Sequence, residues 1–386
     1  MSLIASTSFT QFSSPARSAE LAGGAYVLSI AALDNEYAVL SSAPSNQIHL
    51  YDRASLRPSA SFDAHTTAGT SLRSAENIHG TSRRVLLSSG KDATVKVWDA
   101  RTPTPALIMR QAGAPRALLC ADAAPDGMLI AAGAELKGDD APILYWDHRS
   151  PAAPLRSHAS THSDDVTALH FSRSQGTARQ VLSASSDGLL SLSNADEEDE
   201  DEAVVHVGNW GCSVAQAEWM PNGEGAWASS DMETFSTWSA ELDPRANVDI
   251  REPSLHTPQI EWVTDYLIGC HASERGGMSL FVGSNEGDVA LLKSSDWGNS
   301  SADWNLERLF IGAHTGVVRS MLWDEQNNVL LTGGEDARLH AWACPPLASA
   351  FALDPGVSSL SPRKRDLDGD VEMGTSPESA KKKARR

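Results

Sequence analysis

Two stretches of the chain carry the same alternation of apolar and polar positions. Leu86 to Asp99 opens with Leu-Leu-Ser-Ser, a buried-strand pattern, turns at Gly-Lys-Asp-Ala, and continues as Thr-Val-Lys-Val-Trp with period two. Leu330 to Trp342 repeats it as Leu-Leu-Thr-Gly, Gly-Glu-Asp-Ala and Arg-Leu-His-Ala-Trp. Each stretch predicts a β-hairpin. In both, a Ser or Thr (Ser88, Thr332) stands four residues before an Asp (Asp92, Asp336), and a Trp (Trp98, Trp342) stands six residues after that Asp. A His (His65, His314) lies upstream of each.

This pattern resembles the WD40 repeat, whose unit is one four-stranded blade of a β-propeller. The resemblance implies that His65, Ser88, Asp92 and Trp98 form one hydrogen-bonded chain, and His314, Thr332, Asp336 and Trp342 another. Each chain gives the Trp indole N–H, a donor with no acceptor capacity, a partner inside its blade. These are the residue types of an active site, yet a structural role is the expectation, because buried polar groups are paired.

Seven copies of the unit can be traced, ending at Tyr51-Asp52, Trp98-Asp99, Trp146-Asp147, Ser193-Asn194, Trp238-Ser239, Leu292-Lys293 and Trp342-Ala343. Their steps of 47, 48, 47, 45, 54 and 50 residues fit a WD40 period plus loop residues. The middle copies are weaker, with Ser193 and Leu292 in place of the terminal Trp and an insertion near Leu136–Asp140. The expected fold is all-β: a seven-bladed WD40 propeller over residues 1–346 and a disordered basic tail over 347–386. Pro345 and Pro346 cannot donate to a ladder, so the last blade should lack its own outer strand. Residues 1–12, with Ile4, Ser6, Ser8, Thr10 and Phe12 on alternate positions, are expected to supply it.

The charge balance narrows the partner class. Fifty acidic against 31 basic side chains leave a net charge of −19, which disfavours direct nucleic-acid binding and favours basic or peptide-like partners. Cys120, Cys212, Cys270 and Cys344 are widely spaced and fit neither a zinc site nor a disulfide framework, so buried, reduced thiols are expected. The N-terminus lacks a signal-peptide pattern, and no apolar run approaches the ~20 residues that span a bilayer. An intracellular protein, monomeric outside its complexes, is the expectation.

Three segments are not explained by blade building. Asp196, Glu197, Glu198, Asp199, Glu200, Asp201 and Glu202 form an unbroken acidic run, read as a solvated loop that either solubilises the protein or contacts a basic client. Trp297 and Trp304 lie in a polar stretch, as partner anchors or as apolar cover for a blade. The tail carries Arg363, Lys364 and Arg365, then Lys381, Lys382, Lys383, Arg385 and Arg386. This reads as a nuclear localisation signal for an import receptor, against the alternative of a solvated charge run. The protein is therefore placed in the nucleus, with a share in the cytoplasm. Ser361, in Ser-Pro-Arg-Lys, resembles a proline-directed kinase site whose phosphate would blunt the adjacent basic cluster.

No Gly-x-Ser-x-Gly, phosphate-cradling Gly-x-x-x-x-Gly-Lys-Ser/Thr or His-Glu-x-x-His motif occurs, so neither an enzyme nor a cofactor is expected. Ser163–Phe171, Leu182–Gly188, Asp265-Tyr-Leu-Ile-Gly269, Gly312–Ser320 and Leu331–Ala337, in this order, resemble the WD repeat-containing protein 89 family over about residues 20–345. That resemblance implies the propeller and a nuclear setting and adds no catalytic residue. Three readings follow: a nuclear interaction scaffold, a substrate receptor for a cullin-4 ubiquitin ligase, and an assembly factor for a basic client such as a histone or ribosomal protein. The second rests on Trp98-Asp-Ala-Arg101 and Trp146-Asp-His-Arg149, which are similar to the box in which an Arg contacts the ligase adaptor. Arg101 and Arg149 would carry that role, unless each merely pairs with a neighbouring carboxylate.

Overall fold

A computed structural model describes residues 2–78, 83–174, 179–273 and 277–346. The basic clusters, Ser361 and the proposed disordered tail lie outside these residues.

Seven antiparallel meanders are set around a central channel. Blade one spans residues 27–63, two 69–110, three 118–158, four 166–209, five 214–249, six 266–310 and seven 318–343. In blade two, Gly69–Ala75 lines the channel, Val85–Gly90 and Thr94–Trp98 follow, and Leu107–Arg110 is the rim strand. The traced repeat ends coincide with the third strands, among them Gln47–Asp52, Ile143–Asp147, Leu189–Asn194, Val289–Ser294 and Arg338–Ala343. These strands are buried along nearly their whole length, polar positions included, because both faces of a blade are covered by its neighbours.

The ring closes through the N-terminal segment, but not through residues 1–12. Strand β1, Leu3–Phe12, runs parallel to Trp304–Phe310 and forms a fifth strand on blade six, with Leu3 opposite Trp304 and Phe12 opposite Phe310. Strand β2, Arg17–Glu20, pairs antiparallel with Arg338–Ala343 and supplies the outer strand of blade seven. Leu3 is 5% exposed and Ile4 47%, and a one-residue change of phase exchanges the two faces of a strand. The Phe12 and Phe310 rings stack with centroids 5.0 Å apart.

Large side chains fill the seams between blades. Trp98 meets Phe62 of blade one at 4.9 Å between ring centroids, and Trp342 meets Phe310 of blade six at 5.2 Å. Burying a ring of this size contributes on the order of 4–6 kcal/mol as an upper estimate.

Candidate functional site

Both sequence-predicted tetrads are assembled. The His65 imidazole lies 2.9 Å from Asp92 Oδ1 through Nδ1 and 2.9 Å from Ser88 Oγ through Nε2, and the Trp98 indole N–H donates to Ser88 Oγ at 2.9 Å. In blade seven His314 reaches Asp336 at 3.0 Å and Thr332 Oγ1 at 2.9 Å, and Trp342 Nε1–H donates to Thr332 Oγ1 at 3.0 Å. A glycine is required beside the first tetrad, since a Cβ on Gly90 would lie 2.4 Å from His65 Nδ1. Burial tends to raise the Asp92 carboxyl, but hydrogen bonds from His65 and Thr94 override it and hold the group well below the usual range. All four polar groups of each tetrad are saturated internally, so none is positioned to act on a substrate.

A third, incomplete tetrad lies in blade four, which the sequence marks by spacing alone. His162 reaches Ser183 Oγ at 2.8 Å and Asp187 Oδ2 at 3.3 Å, and against burial this contact helps hold Asp187 down to about 2. Its signal was the Ser four residues before an Asp; what hid it was Ser193 in the place of the terminal Trp. The neighbouring blade changes in step. His158 occupies the rim-strand register at which blades one and six place Phe62 and Phe310, opposite Ile143 as those are opposite Ile48 and Val289.

His314, Asp336 and His340 lie close enough to hold a metal ion. Their nitrogens are already engaged, however: His340 Nδ1 lies 2.8 Å from Ser18 Oγ and Nε2 lies 3.1 Å from the Ala313 carbonyl oxygen, while His314 uses both nitrogens in its tetrad. The set is a blade-to-β2 clamp and does not present an open ligand shell.

Arg101 and Arg149 lie on neighbouring blades, in connections between third and rim strands, and therefore on one face of the ring. Their side chains are 66% and 67% exposed. Each guanidinium grips the Asp two residues before it, Arg101 Nε at 2.9 Å from Asp99 Oδ1 and Arg149 Nε at 2.9 Å from Asp147 Oδ1. The bond from Arg101 holds Asp99 down to about 2 despite partial burial. Local pairing explains these contacts, and the outward edge of each guanidinium still faces solvent.

The acidic run is more ordered than a solvated loop. Asp199 caps a helical turn, Glu200–Ala203, by accepting from Asp201 N at 3.1 Å. Glu200 accepts from the backbone N–H groups of Ala159, Ser160 and Thr161 at 2.8, 2.8 and 2.7 Å, and Asp196 pairs with Arg179. Backbone donors invisible to a charge count thus absorb part of the run, while Glu198, Asp199, Asp201 and Glu202 remain exposed.

The two Trp residues are not free anchors. Trp304 is 2% exposed in the blade six core, and Trp297 packs edge-on against it and against Phe235, at 5.8 and 5.9 Å. Cys120 and Cys344 are buried, whereas Cys212 and Cys270 are half-buried, and all four are free thiols. Among the described residues no helix is long and apolar enough to cross a membrane.

Comparison with known proteins agrees with this geometry. The family described as WD domain, G-beta repeat, matches residues 56–99 and 306–343. The chain is 25% identical over 329 residues to the WD repeat-containing protein 89 homolog of Dictyostelium discoideum, covering 83% of each chain. It is 29% identical to an uncharacterised WD repeat-containing protein of Saccharomyces cerevisiae, over 67% of this chain and 64% of that one. A third such protein, from Schizosaccharomyces pombe, is 24% identical over 72% of this chain and 83% of its own. WD40 propellers are in general non-catalytic mediators of protein–protein contacts. The chain folds as a seven-bladed β-propeller that carries WD40 repeats, and over most of its length it resembles the WD repeat-containing protein 89 family.

Proposed function

We propose that the protein is a non-catalytic nuclear interaction scaffold that holds partner proteins against loops on a rigid ring. The observation that carries this reading is the saturation of every tetrad inside its blade, which leaves recognition to the loops. The net charge of −19 and the exposed Glu198, Asp199, Asp201 and Glu202 favour basic partners, such as a histone or ribosomal protein in assembly. The nuclear assignment rests on the clusters at Arg363–Arg365 and Lys381–Arg386. Affinity purification of the tagged full chain from nuclear extract should recover stoichiometric basic proteins that are released as salt rises. Replacing Lys381, Lys382 and Lys383 by Ala should move the protein out of the nucleus. A nuclear signal undisturbed by that change would count against the address.

A second reading, a substrate receptor for a cullin-4 ligase, is favoured by one observation: Arg101 and Arg149 are exposed on adjacent blades and on one face. Pull-down with the ligase adaptor tests it. Retention of the wild type and loss of the Arg101→Ala/Arg149→Ala double variant are expected on this reading; no recovery of the wild type would dismiss it.

A further inference from the structure

Outside the tetrads, a polar cluster gathers at one end of the innermost strands. The innermost strands share a register, each with an irregularity beginning at Val27, Gly69, Leu118, Val166, Val214, Leu267 or Val318. Four residues further on, blades one and seven carry Ala31 and Leu322, while the five blades between carry Arg73, Asp122, His170, Glu218 and His271. Ala31 and Leu322 show that the fold is satisfied by an apolar residue at this level. Charges buried there cost free energy unless fully paired, so ring closure gives no reason for them.

The cluster is connected but not balanced. Arg73 donates from Nη1 to His170 Nδ1 at 2.7 Å and from Nη2 to Glu218 Oε1 at 3.0 Å. Arg173 donates to Asp122 Oδ1 at 2.7 Å and to the Ala123 carbonyl oxygen at 2.8 Å, while Asp122 Oδ2 accepts from Phe171 N at 2.8 Å. His271 Nε2 lies 2.6 Å from Glu325 Oε1. Burial, with Arg73 beside it, lowers the His170 pKa. Three carboxylates, Asp122, Glu218 and Glu325, stand against two guanidiniums, Arg73 and Arg173, with the imidazoles of His170 and His271 between them. Both guanidiniums are already committed to carboxylates. Against burial, His170 and Arg73 hold Glu218 down to about 2, so it is ionised.

Glu218 is the open acceptor. Its side chain is 42% exposed, and among the described residues none donates to its Oε2. It faces a basin of about 710 Å³ at the channel mouth, walled by His170, Trp219, Met220, Cys270 and His271. The Trp219 indole is fixed by donating Nε1–H to the His170 carbonyl oxygen at 3.0 Å. The basin lies among connections between first and second strands, so it opens on the same face as Arg101, Arg149 and the acidic turn.

We propose that this basin receives a cationic side chain, Arg or Lys, from a partner protein, with the Glu218 carboxylate as its acceptor and the Trp219 indole as an apolar wall. The excess carboxylate selects a cation, since an anion would meet three acids and two guanidiniums already occupied. An indole beside a cation adds to the attraction. The inference rests on the scaffold reading and gives that reading a partner group and a place.

The probes are acetyl-Gly-Arg-Gly-amide, its Lys counterpart and the neutral citrulline counterpart, titrated into full-length protein labelled with 15N at tryptophan. The Arg or the Lys peptide should shift the Trp219 indole signal saturably, and the citrulline peptide should not. Glu218→Gln should weaken the response by roughly tenfold or more, as expected for loss of a charged hydrogen-bond partner, while the exposed Glu241→Gln leaves it unchanged. Equal shifts with Arg and citrulline peptides on the wild type, or no shift of Trp219 with either cation, would overturn the proposal without relying on any variant. Copurification of partners tests the scaffold reading separately, so the two can fail independently.

Discussion

Removing residues 1–21 is expected to open the ring and lower the melting temperature by roughly 10 °C or more, whereas removing residues 1–12 lowers it by less. The longer deletion takes β2 from blade seven, and with it the Arg17 to Glu20 ladder and the flanking bonds from Ala16 N to Ala341 O and from Leu21 N to Ala337 O, both 2.8 Å. Leu21, 2% exposed, goes too, and Leu339 and Ala341 lose cover. Blade seven is left with three strands and an unpaired edge, which invites pairing with other chains. The shorter deletion removes a strand that blade six holds in addition to its own four. Its cost is the burial of Leu3 and the Phe12–Phe310 stack, and no blade is left short. Scanning calorimetry of the two truncations, with light scattering for aggregation, checks the order. Equal melting temperatures would mean that β1, not β2, carries the closure.

The third strands were legible because two independent signals coincide there, period-two alternation and a terminal aromatic; Thr94–Trp98 and Arg338–Ala343 carry both. Where one signal fails, as at Ser193, the spacing still locates the strand but hides the tetrad behind it. Strand β2 is not legible in the sequence because four residues reading Arg-Ser-Ala-Glu have no apolar alternation; its partner's open edge selects it. The same limit applies to Glu200, whose role is set by backbone donors from the loop after blade three, and to Trp304, whose neighbours come from blades five and six. The channel-mouth cluster shows the limit most clearly. Arg73, Asp122, His170 and Glu218 lie on four separate blades, 145 residues apart at the extremes, and only the common register of the inner strands brings them together.

Trp342→Ala is expected to destabilise the protein by about 3–5 kcal/mol, because it removes a 2%-exposed ring at the seam of blades six and seven and leaves a cavity. Trp342→Phe keeps most of the apolar contact with Phe310 but leaves Thr332 Oγ1 without the indole donor, and should cost about 1 kcal/mol for that bond plus a smaller packing loss. The same seam makes stability depend on pH. Burial, with the charge of His314, lowers His340 from 6.5 to about 4, and burial also lowers His314. The unfolded chain therefore takes up protons first as pH falls below 6.5, and stability declines until about pH 4, where the folded His340 protonates as well. Asp187 and Asp336 are held below their ordinary value of 3.8 despite burial, so their stabilising contribution is present above that pH. It is lost as pH falls through their folded values, for Asp187 near 2. Urea unfolding at pH 7.0 and 5.0 should show lower stability at the acid value, and His340→Gln should flatten the difference. Equal stability of the wild type at both values would show that the blade seven histidines are not held neutral by their seam.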